Sequence, residues 1–165
     1  MRFSLLDRIC SFEPHTQLTS VKSVSLAEEY LADHFPEFPV LPGVFMLEAA
    51  TQSAAWLVRL SEDFAHSMVV LQEARSVKFT DFVVPGRTLQ MTVQQTDRSD
   101  NIVKFSFQGQ VDDRTSVSGR LTLCCSNLAD EDPQQAELDV RMQQQQRETA
   151  KLLLPGHFAE RIANS

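Results

Sequence analysis

Basic residues are in short supply in this chain. It sets 15 lysines and arginines against 22 aspartates and glutamates, a formal net charge of −7 over 165 residues. A nucleic-acid-binding domain normally carries a basic stripe to meet phosphates, so the balance argues against that class. Cysteine is scarcer still: Cys10, Cys124 and Cys125 are the whole supply. Adjacent cysteines do not easily meet disulfide geometry. Neither these nor the four scattered histidines have the spacing of a metal site. No metal or cofactor is implied, and a reducing cytoplasm is the expected compartment. Long apolar runs are missing too. No stretch approaches the ~18 uninterrupted residues of a membrane span, and Asp7 with Arg8 interrupts the only apolar stretch near the start. What remains is a chain long enough for one domain that buries roughly 70% of its unfolded surface without a staple.

The hydrophobic pattern divides that chain. Residues 4–10, with Leu5, Leu6 and Ile9, suit one or two helical turns. Alternation over residues 17–26 predicts a half-buried strand, after which Ser25 and Glu28 form a capping box for a short helix. Residues 34–43 hold three prolines, which forbid helix and sheet interior alike and predict a fixed, extended loop. Residues 44–60, rich in Leu, Met and Ala and apolar almost all round, predict a helix buried by its surroundings. The period then changes. Residues 67–73, 77–79, 88–97, 102–111 and 115–126 favour strands. Turns at Pro85 and Gly86, at residues 98–101, and at Asp112 and Asp113 predict that consecutive strands pair as hairpins. The implied class is α+β, an antiparallel sheet curled around one long helix, spanning residues 1–126. Residues 127–165 read as an appendage, helical from about Pro133 through the glutamine run 143–146. Those glutamines suit a solvated helix face, and residues 151–158 are apolar enough to dock.

The chemistry concentrates in residues 34–52. Gly43, one of only five glycines, stands where the long helix begins. A helix start exposes unpaired amides and partial positive charge, which suit an oxyanion or polarised carbonyl, and glycine allows close approach. Glu48 is an ionisable residue inside an apolar helix. A buried carboxyl favours its neutral form and can then serve as a general acid. Gln52, at i+4 on the same face, can orient it. Each has a plainer reading: a structural histidine at 34, a glutamate paired with Arg59 or Arg75, ordinary punctuation at Pro42 and Gly43.

Taken together, His34, Phe35, Pro36, Pro39, Pro42, Gly43, Glu48, Ala49 and Gln52 resemble the signature of the hotdog-fold 3-hydroxyacyl-acyl-carrier-protein dehydratases. The step from His34 to Glu48 matches the family spacing. Leu6, Asp7 and Arg8, and later Val77, Lys78 and Phe79 followed by Val84, Pro85 and Gly86, extend the likeness over residues 1–126. The resemblance implies a hotdog fold and a dehydratase making a trans-2-enoyl thioester in fatty-acid or related synthesis. His34 would be the base and Glu48 the acid, with Gly43, Phe35 and Gln52 binding substrate. It also implies an acyl thioester carried by acyl carrier protein or coenzyme A. At least a dimer is implied, each site drawing His34 and Glu48 from different subunits, with a trimer of dimers as the larger form. Glutamate at the acid position resembles the branch that dehydrates without isomerising.

The chain departs from the family at two places. Glu37 and Phe38 replace a glycine and a histidine after the opening of the motif. Thr80 and Asp81 stand where a basic pair is common, leaving Arg75, Lys78 and Arg87 as candidate contacts for an acidic carrier. Two other functions stay open on these residues: a hotdog acyl thioesterase, which generally lacks the histidine loop, and a non-catalytic acyl-binding subunit.

Overall fold

The computed structural model describes residues 3–154. Six strands form one antiparallel sheet: β1 (Arg8–Glu13), β2 (Gln17–Ser23), β3 (Met68–Phe79), β4 (Thr88–Ser99), β5 (Ile102–Val111) and β6 (Arg114–Ser126). Their spatial order is β1-β2-β4-β5-β6-β3. Helix α1 (Gly43–Ser61) packs against β2 through β6, and α2 (Ala136–Leu153) follows the sheet in sequence. No helix among the described residues is long and apolar enough to cross a membrane.

Alternation in the strands builds the floor on which α1 rests. Leu89, Met91 and Val93 of β4, Val103, Phe105 and Phe107 of β5, and Val117, Leu121 and Leu123 of β6 are all buried. Small residues on α1 (Ala49, Ala50, Ala54 and Ala55) let the sheet come close, while Leu57 and Val58 fill the space between. Two buried serines, Ser53 and Ser20, lie within this contact. Ser53 donates to the Ala49 carbonyl at 2.6 Å and shares a 2.8 Å bond with Ser20 of β2, so its hydroxyl is satisfied. The helix ends at Ser61, and just beyond it Asp63 and Phe64 both adopt positive φ (47° and 59°). The Phe64 ring is buried, which offsets the cost of that backbone.

Three local expectations give way to tertiary pairing. Residues 4–10 are not helical: β1 begins at Arg8, and Ile9 reaches the core from an extended chain paired with β2. Cross-strand bonds outweigh a helical pattern only two turns long. The capping box at Ser25 does not close, because the Glu28 carboxylate takes the Lys22 ammonium at 2.7 Å instead. Only a single 3-10 turn follows, at Glu29–Leu31. Third, Pro85 and Gly86 do not join a hairpin. β3 pairs with β6 at the far edge, and β4 pairs with β2. The turn crosses between them, with Gly86 (φ 84°) donating its amide to the Val24 carbonyl. Residues 67–73 and 77–79, read as two strands, form one, kinked between Arg75 and Lys78 where Ser76 sits at φ 53°. The β4–β5 and β5–β6 hairpins pair as their turns predict.

Beyond Ser126 the chain folds back. Arg147 pairs with Asp63 at 2.6 Å and lies 4.7 Å over the Phe64 ring, while Ala150, Leu153 and Leu154 join the core. Two of the glutamines expected to face solvent bond the body: Gln143 donates to the Ala65 carbonyl and Gln146 to that of Ser67. Residues from 155 on, including the rest of the apolar run, lie outside the described residues. Near the start of α2, Asp139 is 5% exposed. Burial alone would raise its pKa. The Ser67 hydroxyl and the amides of Ala129 and Leu128 outweigh burial and hold it below the ordinary carboxylate value. A depressed carboxyl stabilises the fold above its unfolded pKa, about 3.9, and ceases to as pH falls through the folded value. Acid below about pH 4 is therefore expected to loosen the start of α2 before the sheet. Amide exchange, corrected for intrinsic rates, checks this. Equal protection of α2 and β5 in acid would contradict it.

Candidate active site

The three prolines keep residues 34–42 out of helix and sheet as expected, but the loop is not extended: it turns at Phe35–Phe38 and closes on itself, and Gly43 already belongs to α1. The Val40 amide donates to the His34 carbonyl at 3.2 Å, and the Leu41 amide donates to Val83 at 2.8 Å, pinning the loop to the crossing segment. The His34 ring is half-buried, its Nδ1 3.2 Å from the Val40 carbonyl. A carbonyl only accepts, so the neutral ring carries its proton on Nδ1 and leaves a lone pair on Nε2. That is the form a general base needs.

The loop delivers the chain to α1 through Pro42, whose side chain cannot cap the helix. The first helical amides, beginning with Gly43, are left for another acceptor. His34, Phe35, Leu41, Gly43, Met46 and Phe79 line one cavity of about 410 Å³. Glycine at 43 has a local reason. A Cβ there would stand 3.2 Å from the Phe79 ring, which covers the helix start. A histidine and a helix N-terminus thus open into one mainly apolar space, with Thr80 and Asp81 also on its wall, a pairing that suits proton abstraction next to a polarised carbonyl.

Glu48 is elsewhere. It lies five residues after Gly43, about 140° further round the helix, and does not line that cavity. Neither arginine named as a plain partner holds it. Arg75 pairs with Glu73 at 2.7 Å, and Arg59 lies 5.3 Å over Trp56, where burial pushes its pKa down to about 10. Glu48 instead accepts from Gln52 Nε2 at 2.9 Å. The remaining groups of the Gln52 amide are engaged as well: Nε2 also donates to the Phe3 carbonyl at 3.2 Å, and Oε1 accepts the Leu5 amide at 2.9 Å. Within one chain, His34, Phe35 and Gly43 come together, while Glu48 and Gln52 form a second group on another face of α1.

Sequence reasoning missed the walls. Phe79 and Met46 line the cavity, as does Phe82, whose ring meets that of Phe38 edge-on at 5.8 Å. Phe79 and Phe82 arrive from the end of β3 and the crossing segment, so no local pattern connects them to residue 34. No group of three or more potential metal-ligating side chains occurs among the described residues.

A sheet of this order around one helix is the hotdog arrangement, and solved structures share it. The dehydratase heterocomplex ApeI:P from Xenorhabdus doucetiae superposes with a TM-score of 0.64 at 19% identity, over 76% of this chain and 85% of that one. The smu.793 protein from Streptococcus mutans, bound to acetyl CoA, does so at 0.58 and 13% identity, over 76% and 92%. Sequence relatives are closer. The 3-hydroxyacyl-acyl-carrier-protein dehydratase FabZ of Streptococcus agalactiae is 34% identical over 123 residues, 74% of this chain and 87% of its own. That of Lactiplantibacillus plantarum is 33% identical over 117 residues, 71% and 80%. A profile of the ApeI-like family, described as ApeI dehydratase, matches residues 11–120. The fold and these relatives define the class, a hotdog-fold dehydratase. Within it, the chain belongs to the ApeI-like dehydratase family.

Proposed function

We propose that this protein is a hydro-lyase that removes water from a 3-hydroxyacyl thioester to give the trans-2-enoyl thioester, in fatty-acid or related acyl-chain synthesis. The observation that carries the reading is the shared cavity of a histidine whose Nδ1 is bonded to the Val40 carbonyl and the uncapped helix start at Gly43. His34 Nε2 takes the proton from the carbon next to the thioester carbonyl. Negative charge then builds on the carbonyl oxygen, where the Gly43 amide and the α1 dipole stabilise it. One such donor is worth about 10²–10³-fold. The β-carbon–oxygen bond breaks as Glu48 gives its proton to the departing hydroxyl, and water leaves. The proton on His34 then returns Glu48 to its acid form through solvent. Phe35 lies along the acyl path, and Gln52 serves the site by holding Glu48.

Because one chain presents His34 and Glu48 on different sides of α1, a complete site takes Glu48 from a second subunit. The sheet provides a surface for that contact. β3 is a twelve-residue edge strand with Val70, Leu71 and Phe79 exposed. Such an edge is normally covered, and pairing with a second copy covers it. The thioester is carried by acyl carrier protein, as in the names of the FabZ relatives, or by coenzyme A. Of the three basic residues considered for an acidic carrier, Arg75 is matched by Glu73 and Arg87 by Asp112. Among the described residues Lys78 has no ion pair, which makes it the stronger contact.

The test offers a 3-hydroxyacyl thioester and follows enoyl absorbance beside free thiol, with sedimentation under the same conditions. Enoyl product from a dimer or larger assembly is expected. Thiol without enoyl would point to a thioesterase, and a stable, active monomer would overturn the shared site.

A further inference from the structure

The chain segment ahead of β1 touches the candidate acid through Gln52. The Leu5 amide can only donate, and it meets Gln52 Oε1; the Phe3 carbonyl can only accept, and it meets Gln52 Nε2. Both contacts demand the same orientation of the side-chain amide. The flipped amide would set a donor against the Leu5 amide, an acceptor against the Phe3 carbonyl and an acceptor against Glu48. The strap is itself anchored. Phe3 packs edge-on against Phe45 at 5.0 Å, Phe45 against Tyr30 at 4.8 Å, and Leu5 and Leu6 are buried. Asp7 ties the far end to β2, its amide donating to the Val21 carbonyl and its carboxylate accepting the Ser23 amide at 2.7 Å.

We infer that residues 3–5 are a positioning strap for catalysis: by locking the Gln52 amide they decide which oxygen of Glu48 carries the proton. Gln52 Nε2 donates to Glu48 Oε1, so Oε1 is an acceptor in every working state. When Glu48 is the acid, its proton sits on Oε2, the oxygen left to face the substrate hydroxyl. The inference rests on the dehydratase reading above and adds to it a requirement on main-chain groups more than 40 residues from Glu48. It also gives Gln52 a role that does not involve touching the acyl chain.

Three variants test it in the otherwise intact protein: Gln52→Met, which keeps size but loses both polar ends; Phe3→Ala, which loosens the strap; and removal of residues 1–5. Thermal unfolding and sedimentation first establish that each is folded and assembled. Gln52→Met is expected to lower kcat about 10²-fold, the cost of a misplaced catalytic group, with KM nearly unchanged. Phe3→Ala is expected to lower kcat about tenfold with the same split, and the deletion by as much as Gln52→Met. Combining Gln52→Met with either strap change should cost no more than Gln52→Met alone, because both act through one amide. Full additivity, or loss appearing in KM alone, overturns the strap. If the deletion fails to fold, Phe3→Ala and its combination with Gln52→Met still decide. Native protein that makes no enoyl product defeats the dehydratase reading itself, whereas an active native protein with indifferent strap variants defeats only this inference.

Discussion

Replacing His34 with alanine should lower turnover of a 3-hydroxyacyl thioester by about 10²–10⁴-fold, the usual weight of a positioned proton-transfer group, and leave the protein folded. The fold should survive because the ring is half-buried in a surface loop and, among the described residues, makes one hydrogen bond, to Val40, in a segment held mainly by its backbone. Glu48→Gln should cost a similar factor, since the amide keeps the shape and the bond to Gln52 but has no proton to give a hydroxyl. The more telling result comes from mixing the two. If each site takes His34 from one chain and Glu48 from another, a mixed dimer holds one intact site and one doubly defective site. Random assembly of equal amounts makes half the dimers mixed, so about a quarter of native turnover should return. Recovery absent after subunit exchange would mean that both residues act from the same chain, or that one of them does not act.

The largest effect on stability is expected inside α1. Leu57 is fully buried in the C-terminal part of α1, within the core shared with the sheet. Leu57→Ala removes three carbons from a close-packed interior and should destabilise the protein by about 2–5 kcal/mol, transfer and cavity contributions combined. A urea titration at fixed protomer concentration measures it, the concentration being held because assembly and folding are linked. The figure is a large share of the roughly 5–15 kcal/mol that such domains possess, so the midpoint should fall steeply while the slope stays the same. A loss below about 1 kcal/mol would show that the sheet collapses onto the gap, and that α1 is seated less rigidly than its neighbours suggest. Because α1 carries Gly43 at its start and Glu48 further along, a loosened seat should also lower turnover.

Several features were legible in the residues alone. Three prolines in ten residues predict a loop wherever they occur, since ring closure removes amides and fixes φ regardless of context. Residues 44–60 predict a buried helix, and α1 runs from Gly43 to Ser61. Alternation in residues 102–111 predicts β5 to the residue. The failures share a cause. Residues 4–10 and the Ser25 capping box are short patterns whose local preference amounts to about 1 kcal/mol, less than a partner strand or the Lys22 ammonium supplies. The Pro85 and Gly86 turn is a real turn, but a turn says that the chain bends, not which strand lies beyond the bend.

The scarcity of bases, cysteines and apolar runs already excluded a nucleic-acid binder, a disulfide scaffold and a helical membrane span, because composition limits what any fold of the chain could do. The candidate residues for proton transfer and anion binding were likewise proposed from the sequence, since such chemistry needs particular side chains. Only the tertiary structure decided how they group. It joined His34 and Gly43 to Phe79 and brought Phe3 and Leu5 to Gln52. Each of those pairings spans a stretch of chain whose path is set by strand order and long-range packing, and no local preference reaches that far.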